Sequence, residues 1–424
     1  MFKKEHTENM LEKIIIAPSK NNIERRTAIW NMVSSILGAA QSAIFLLVVT
    51  HVCDAVYAGI FSIATTLGYQ IIAIGSYGMR NFQATDVKQK YKFKEYLLSR
   101  YFTSIAMFIF LIGYVWIKDY NTEKALIILA FGVYKAVDVI EDVFHGEFQR
   151  YNRLDIGAIS MTIRYVISFL VFAVVLITSH NLLFACICEA VISILVFIIL
   201  TYEVIKPRKI LSVKGALKHT GWLLRDCFPL FIGGFLYLYV CNAPKYAIDN
   251  CLSQESQMYF AILFMPVFVV NLLSSFVYRP LLVRMAICWN EKRNKEFWHM
   301  VMTQIALIFV LTIMGILGAY LCGTQILSLV YGVDVNPYRN CLVLLMFGGG
   351  FAALIGFLIN VLTVMRLQTL LLLGYMVASV AALIVSNPIV SKLGIFGASV
   401  LYVGLMVLVA AFLLVSAVFY KKKK

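Results

Sequence analysis

From Trp30 to Tyr420, apolar stretches of roughly twenty residues follow one another with only short polar segments between them, and roughly 20 apolar residues is what a helix needs to cross a bilayer core of about 30 Å. Lipid offers no partner to a backbone N–H or C=O, so each crossing has to close its own hydrogen bonds as a helix. The pattern predicts an all-α polytopic membrane protein with twelve crossings, over 29–50, 56–79, 97–117, 125–147, 157–178, 181–202, 222–246, 257–278, 299–321, 341–364, 367–386 and 394–419. A hydrophobic content of 61% against 14% charged residues lies well outside the range of soluble domains. The few charges inside the crossings are therefore the informative residues.

Most of the 37 lysines and arginines fall in alternate loops. Basic residues collect on the cytoplasmic side of short loops, which predicts both termini on the cytoplasmic side. The net charge of +15 is spread over many juxtamembrane segments rather than gathered on one folded face, so it points to anionic lipid headgroups and away from nucleic acid. The nine cysteines lie mostly within or at the ends of crossings, where Cys acts as a small hydrophobe. No signal peptide is expected at the start, and residues 10–18 can form a short interfacial helix.

The organisation reads as a cytoplasmic segment 1–28, a first lobe of six crossings over 29–202, a cytoplasmic linker 203–221, a second lobe of six over 222–420 and a basic tail 421–424. A faint repeat aligns the segment from Ile60 with that from Tyr259, bringing Arg80 onto Arg279. Six crossings per half make the repeats parallel, related by an axis along the membrane normal, and leave a cleft between lobes. Pro229, Pro244 and Pro266 are expected to interrupt the seventh and eighth crossings. Gly315, Gly318, Gly348, Gly349, Gly350 and Gly356 read as close helix packing.

Two groups of charges carry the chemistry. In the fourth crossing Lys135, Asp138, Asp142, His145 and Gln149 recur at steps of three and four, with Glu141 on the border of the stripe. Each central charge costs about 2.5–3.5 kcal/mol on the insertion scale, so this face must meet protein or water. It reads either as the wall of a wet cavity, with a carboxylate that takes up H+ or Na+, or as an ion-pair network joining Lys135 to Asp138 and Arg164 to Glu141 or Asp142. The second group is Arg80, Arg279 and Lys245. These would line an inter-lobe cleft as a cationic site for phosphate or other acidic groups; alternatively the arginines snorkel to headgroups and Lys245 pairs with Asp249. No nucleotide-binding loop and no catalytic signature is present, so transport rather than an enzymatic role is expected.

The segments RRTAIWN from Arg25, YGMRNFQATD from Tyr77, EDVFHGEFQRYNRLDIGA from Glu141, NAPKYAID from Asn242 and FVYRPLL from Phe276 resemble the bacterial oligosaccharide-lipid flippases of the polysaccharide repeat-unit type, within the multidrug/oligosaccharidyl-lipid/polysaccharide exporter superfamily. The resemblance implies two six-helix lobes around a central cationic cavity that opens to each membrane face in turn. Its implied cargo is a lipid-linked oligosaccharide on polyprenyl pyrophosphate, moved from inner to outer leaflet for capsule, exopolysaccharide or O-antigen assembly beside a polysaccharide polymerase and other assembly proteins. It maps the lumenal cations onto Arg80, Arg279 and Lys245 and implies coupling to protons or sodium. Two relatives of this plan remain open as alternatives, a cation-coupled multidrug antiporter with an acidic or aromatic lumen and a peptidoglycan-precursor flippase.

Overall fold

The structure is a computed structural model and describes residues 23–85, 90–202, 217–278 and 281–422. The interfacial helix expected over 10–18, most of the linker and Arg279 lie outside the described residues. In chain order the helices are α1 (Ile23–Val52), α2 (Ala55–Ser76), α3 (Met79–Thr85), α4 (Phe93–Ile117), α5 (Thr122–Arg150), α6 (Leu154–Ser179), α7 (Leu182–Phe197), α8 (Leu217–Cys251), α9 (Gln254–Phe264) and α10 (Val267–Tyr278), followed by α11 (Leu282–Asn290), α12 (Asn294–Gly318), α13 (Thr324–Tyr331), α14 (Arg339–Val364) and α15 (Gln368–Lys422).

Among the described residues, ten helices are long and apolar enough to cross a membrane. To these the polar-striped α5 adds one more crossing. The 55-residue α15 counts twice, because Gly394 leaves the helical region at φ 58° and ψ −140°, so the total is the twelve that the hydropathy pattern predicts. Trp116 at 81% exposure and Leu329 at 84% show which faces are left for lipid, since apolar side chains this open have no protein to cover them.

Several boundaries differ from the sequence expectation for identifiable reasons. The second crossing stops at Ser76 because Tyr77 (φ 50°) and Gly78 (φ 66°) both take left-handed backbone, which turns the chain into α3 and places Arg80 at its start. A Cβ on Gly78 would meet the Leu230 Cβ at 2.8 Å, so this turn admits only glycine without displacement. The seventh crossing, expected to break at Pro229 and Pro244, is one helix of 35 residues; neighbouring groups in a membrane bundle can satisfy what a proline frees. Only Pro266 separates two helices, α9 and α10. The first crossing begins at Ile23, and α8 already starts at Leu217, within the segment read as linker.

The chain packs as two compact units, one from residues up to 53 together with 64–231, the other from 54–63 together with 232–424. In the first unit α2 meets α5 at close range. A Cβ on Gly68 would approach the Phe131 ring to 2.7 Å, and one on Gly75 would approach both Val139 methyls to 2.7 Å, the small-residue packing that lets helix backbones approach in lipid. An aromatic core continues it, with Phe45 edge-on to Phe172 at 4.8 Å and to Phe169 at 5.3 Å. At the end of this unit holding the α4 start, Tyr91, Phe93, Tyr96, Phe144, Phe148 and Leu223 form one buried cluster. Above it the Lys90 ammonium donates to Asp226 at 2.6 Å, a bond that raises the Lys90 pKa from its ordinary value of 10.5.

The second unit uses the same device on α14. A Cβ on Gly348 would stand 2.7 Å from the Tyr402 ring, and one on Gly350 would stand 2.4 Å from Thr312. Tyr402 in turn packs edge-on against Phe264 at 4.9 Å.

Substituting Gly75→Val forces side-chain volume into a filled crossing. The expected cost is about 1–3 kcal/mol, read as a lower thermal midpoint of the detergent-purified protein, whereas the same change at Gly113, where a Cβ meets nothing within 4 Å, leaves the midpoint in place.

Candidate functional site

The site grows from α5. Asn121 starts this helix by accepting from the Lys124 N–H at 2.9 Å, which fixes its register, and the 3.6-residue period then aims Lys135, Asp138, Glu141, Asp142 and His145 into the first unit. Four central charges of this kind would cost on the order of 10 kcal/mol in lipid. The neighbouring helices remove that cost by partnering each charge.

Arg164 of α6 is the hub. It is fully buried, and its Nε donates to Glu141 Oε2 at 2.8 Å while its Nη1 donates to Ser193 Oγ at 2.9 Å. Its Nη2 donates to Asp138 Oδ1 and lies 2.7 Å from Glu141 Oε2, so one guanidinium bridges two carboxylates of α5. Asp138 is also held from the other side by Lys135, whose Nζ donates to it at 3.2 Å and to Gln41 Oε1 of α1 at 2.5 Å. The Lys135 ammonium faces the Tyr69 and Tyr134 rings, each at 4.7 Å, which adds cation–π attraction at a buried position. Gln41 completes the chain by donating to the Tyr134 hydroxyl.

Asp142 belongs to a second knot. Arg100 of α4, fully buried, donates to Asp142 Oδ2 at 2.9 Å and to the Gly75 carbonyl at 2.7 Å. Arg80 donates to Asp142 Oδ1 at 3.3 Å with its side chain 35% exposed. Of the two partners the sequence offered Arg164, it takes Glu141, with Asp138 one turn before it, while Asp142, the next residue round the helix, answers Arg80 and Arg100. His145 lies 3.7 Å from Glu141 Oε1, too long for a hydrogen bond, with its ring packed where a Cβ on Gly157 would come within 2.5 Å.

These groups border a cavity of about 570 Å³ inside the first unit, lined among others by Ser34, Gln41, Tyr69, Arg80, Lys135, Asp138, Asp142 and Tyr165. The ion-network reading of the α5 stripe is thus what the contacts show, and Lys135, Asp138 and Asp142 of that stripe also line the cavity. Of the other cations named from sequence, Lys245 lies in the second unit with its Nζ over the Phe264 ring at 4.7 Å. The pairing weighed for it goes elsewhere: Asp249 accepts from Gln254 Nε2 at 3.3 Å, and among the described residues no carboxylate forms an ion pair with Lys245. Arg279 lies outside the described residues. Arg100 and Gln41, which hold the network together, were not singled out from sequence; a charge within a predicted crossing was the available signal for Arg100, obscured by its closeness to the crossing's end.

No family model matches the chain. Among curated proteins it is similar to a capsular polysaccharide biosynthesis protein, CapF, of Staphylococcus aureus, at 20% identity over 320 residues covering 74% of this chain and 79% of that protein. Among solved structures it is similar to the lipid II flippase MurJ in an inward closed conformation, with a TM-score of 0.66 at 13% identity over 92% of this chain and 87% of that one. An inward-facing multidrug resistance MATE transporter of the MOP superfamily aligns over 98% of this chain and 97% of its own, with a TM-score of 0.58 at 11% identity. The fold is therefore the one these solved transporters share, and the protein is a multi-pass membrane protein.

Removing Arg164 alone leaves the buried Glu141 without its cation and Asp138 with Lys135 only. Arg164→Met is expected to destabilise the fold by about 3–5 kcal/mol, the usual cost of breaking a buried pair from one side. Arg164→Met combined with Glu141→Leu is expected to recover much of that loss, since Asp138 keeps Lys135. Thermal midpoints of the single and double variants check this, and a double variant no more stable than the single contradicts it.

Proposed function

We propose that the protein flips polyprenyl-pyrophosphate-linked oligosaccharide repeat units from the inner to the outer leaflet of a bacterial plasma membrane, for assembly of a surface polysaccharide, with both termini in the cytoplasm. The observation that carries this reading is the 570 Å³ cavity of the first unit, with Arg80, Lys135, Asp138 and Asp142 together on its wall. A pyrophosphate-glycan head cannot enter hydrocarbon unaided, because each unpaired charge or hydroxyl is costly there. Arg80 is suited to the phosphate end: it is bound to Asp142 by a single long hydrogen bond, it remains partly exposed, and a guanidinium offers a planar fork to phosphate. Ser34, Gln41, Tyr69 and Tyr165 supply hydroxyl, amide and ring surfaces for sugars. The similarity to a capsular polysaccharide biosynthesis protein supports the same reading.

Lys245 and Arg279 enter as further cationic contacts of the cargo, anionic lipids as the surrounding partners of the basic loops, and a polysaccharide polymerase as the consumer of the product. Transport makes no covalent change in the cargo. The likeness to the lipid II flippase favours a peptidoglycan precursor as second reading. A multidrug reading fits less well, because Asp138 and Asp142, the carboxylates on the cavity wall, are each already held by Arg or Lys and neither is left over for an organic cation.

The test is leaflet exchange of labelled lipid-linked cargo in liposomes holding the purified protein, with one arm carrying a capsule-type oligosaccharide and another carrying lipid II. Exchange of the first and not the second is expected. Arg80→Ala is expected to slow it by about tenfold, the equivalent of about 1.4 kcal/mol and the scale of one hydrogen bond to a charged group. Equal rates in wild type and Arg80→Ala remove Arg80 from the mechanism, and exchange of lipid II alone decides for the second reading.

A further inference from the structure

Glu189 of α7 is a charge-bearing group that the network leaves over. It is fully buried, and neither carboxyl oxygen has a hydrogen-bond partner. The groups facing it are Lys135, Asp138 and Tyr134 from α5, Arg164 from α6, and Cys186 from the preceding turn of its own helix. The two cations among them are committed elsewhere. Arg164 spends its donors on Glu141, Asp138 and Ser193, which stands one turn beyond Glu189 on α7; Lys135 is bound to Gln41 and Asp138. A carboxylate shut away from solvent with no donor is among the costliest groups a fold can hold, and such a group takes up a proton instead of staying charged.

The charge count around the cavity turns on this one group. Four cations, Arg80, Arg100, Lys135 and Arg164, face three partnered carboxylates, Asp138, Glu141 and Asp142. Counting His145 neutral, the cluster carries one net positive charge when Glu189 is neutral and none when it is ionised. Ionised Glu189 also has only two places to find a counter-charge, Lys135 and Arg164, and either choice weakens the hold on Asp138 at the cavity wall.

We propose that Glu189 carries a proton whenever the cavity of the first unit holds an anionic group, so that anion binding and proton uptake are one linked event. The inference rests on the reading of this cavity as the seat of an anionic headgroup. It deepens that reading by giving the sign of the coupling: anion and proton load together, and by reciprocity each raises the affinity for the other. Glu189 acts through Lys135 and Asp138 as a positioning residue.

Two measurements on the full-length protein in lipid nanodiscs test this. The infrared carbonyl stretch of a protonated carboxyl, taken as the difference between wild type and Glu189→Gln at neutral pH in the presence of sulfate, reads Glu189 alone; the band is expected in wild type, and its absence overturns the proposal. Calorimetric binding of inorganic sulfate, whose charge is constant over the range, reads the linkage. In wild type the sulfate affinity is expected to fall roughly tenfold per pH unit above the Glu189 titration, with uptake of one proton per bound anion. In Glu189→Gln the affinity is expected to be independent of pH, and in Glu189→Asp the slope returns with a displaced midpoint. The same slope in wild type and Glu189→Gln overturns the proposal. Sulfate binding by neither protein, with the infrared band present, overturns the anionic reading of the cavity and the linkage with it while leaving the protonation of Glu189 established.

Discussion

The bridge from Arg164 to Asp138 and Glu141 is what permits the rest of the first unit to exist. Without it α5 presents a row of charges that neither lipid nor an apolar core can accept. With it, that row becomes the most heavily bonded surface of the unit, tied to α1 through Gln41, to α2 through the Tyr69 ring, to α4 through Arg100, to α6 through Arg164 and to α7 through Ser193. A hydrogen bond to a charged group gains strength where no water competes, and it is also directional. These bonds therefore set the mutual register of six helices more sharply than apolar packing in lipid can, where helix faces and acyl chains are equally oily.

The second unit is built on another principle. Its helices approach through glycines on α14 that receive the Tyr402 ring and Thr312, and ion pairs it holds, such as Arg293 with Glu291 and Glu296, lie at the surface. Close van der Waals contact suffices there. The division of labour follows the composition of the crossings. The repeat expected from sequence sets Phe61 against Phe260, yet among the described residues of the second unit nothing corresponds to the polar stripe of α5.

Much of this was legible before any coordinates, because lipid imposes a length on every crossing. The twelve spans, the polar face of α5 and the partnership of Arg164 with that face all follow from periods and lengths. The rest depended on facts that periods do not contain. Whether Arg164 takes Glu141 or Asp142 is decided by how α5 is rotated between α4 and α6, because consecutive helical residues point about 100° apart. The unbroken α8 shows a rule applied too strictly: proline removes one donor, but in a bundle the freed carbonyl finds other partners. The span 56–79 runs through Tyr77 and Gly78, whereas both take left-handed backbone and end the helix at Ser76. Arg100 stood close enough to a span's end to pass for a flanking charge.

The same arrangement bears on how a polar head can be moved at all. A cavity walled by bare cations would bind a pyrophosphate tightly and release it slowly, because each desolvated ion pair is costly to reopen. Here every carboxylate on the cavity wall already occupies a cation, and under the proposed function an arriving anion exchanges one partner of Arg80 for another instead of making a new pair from two solvated ions. Exchange of partners changes the number of bonds little, so the free energy of the loaded and empty cavity stays close. That near balance is what a carrier needs, since a site that must bind at one membrane face and release at the other cannot hold its cargo much more tightly than it holds itself.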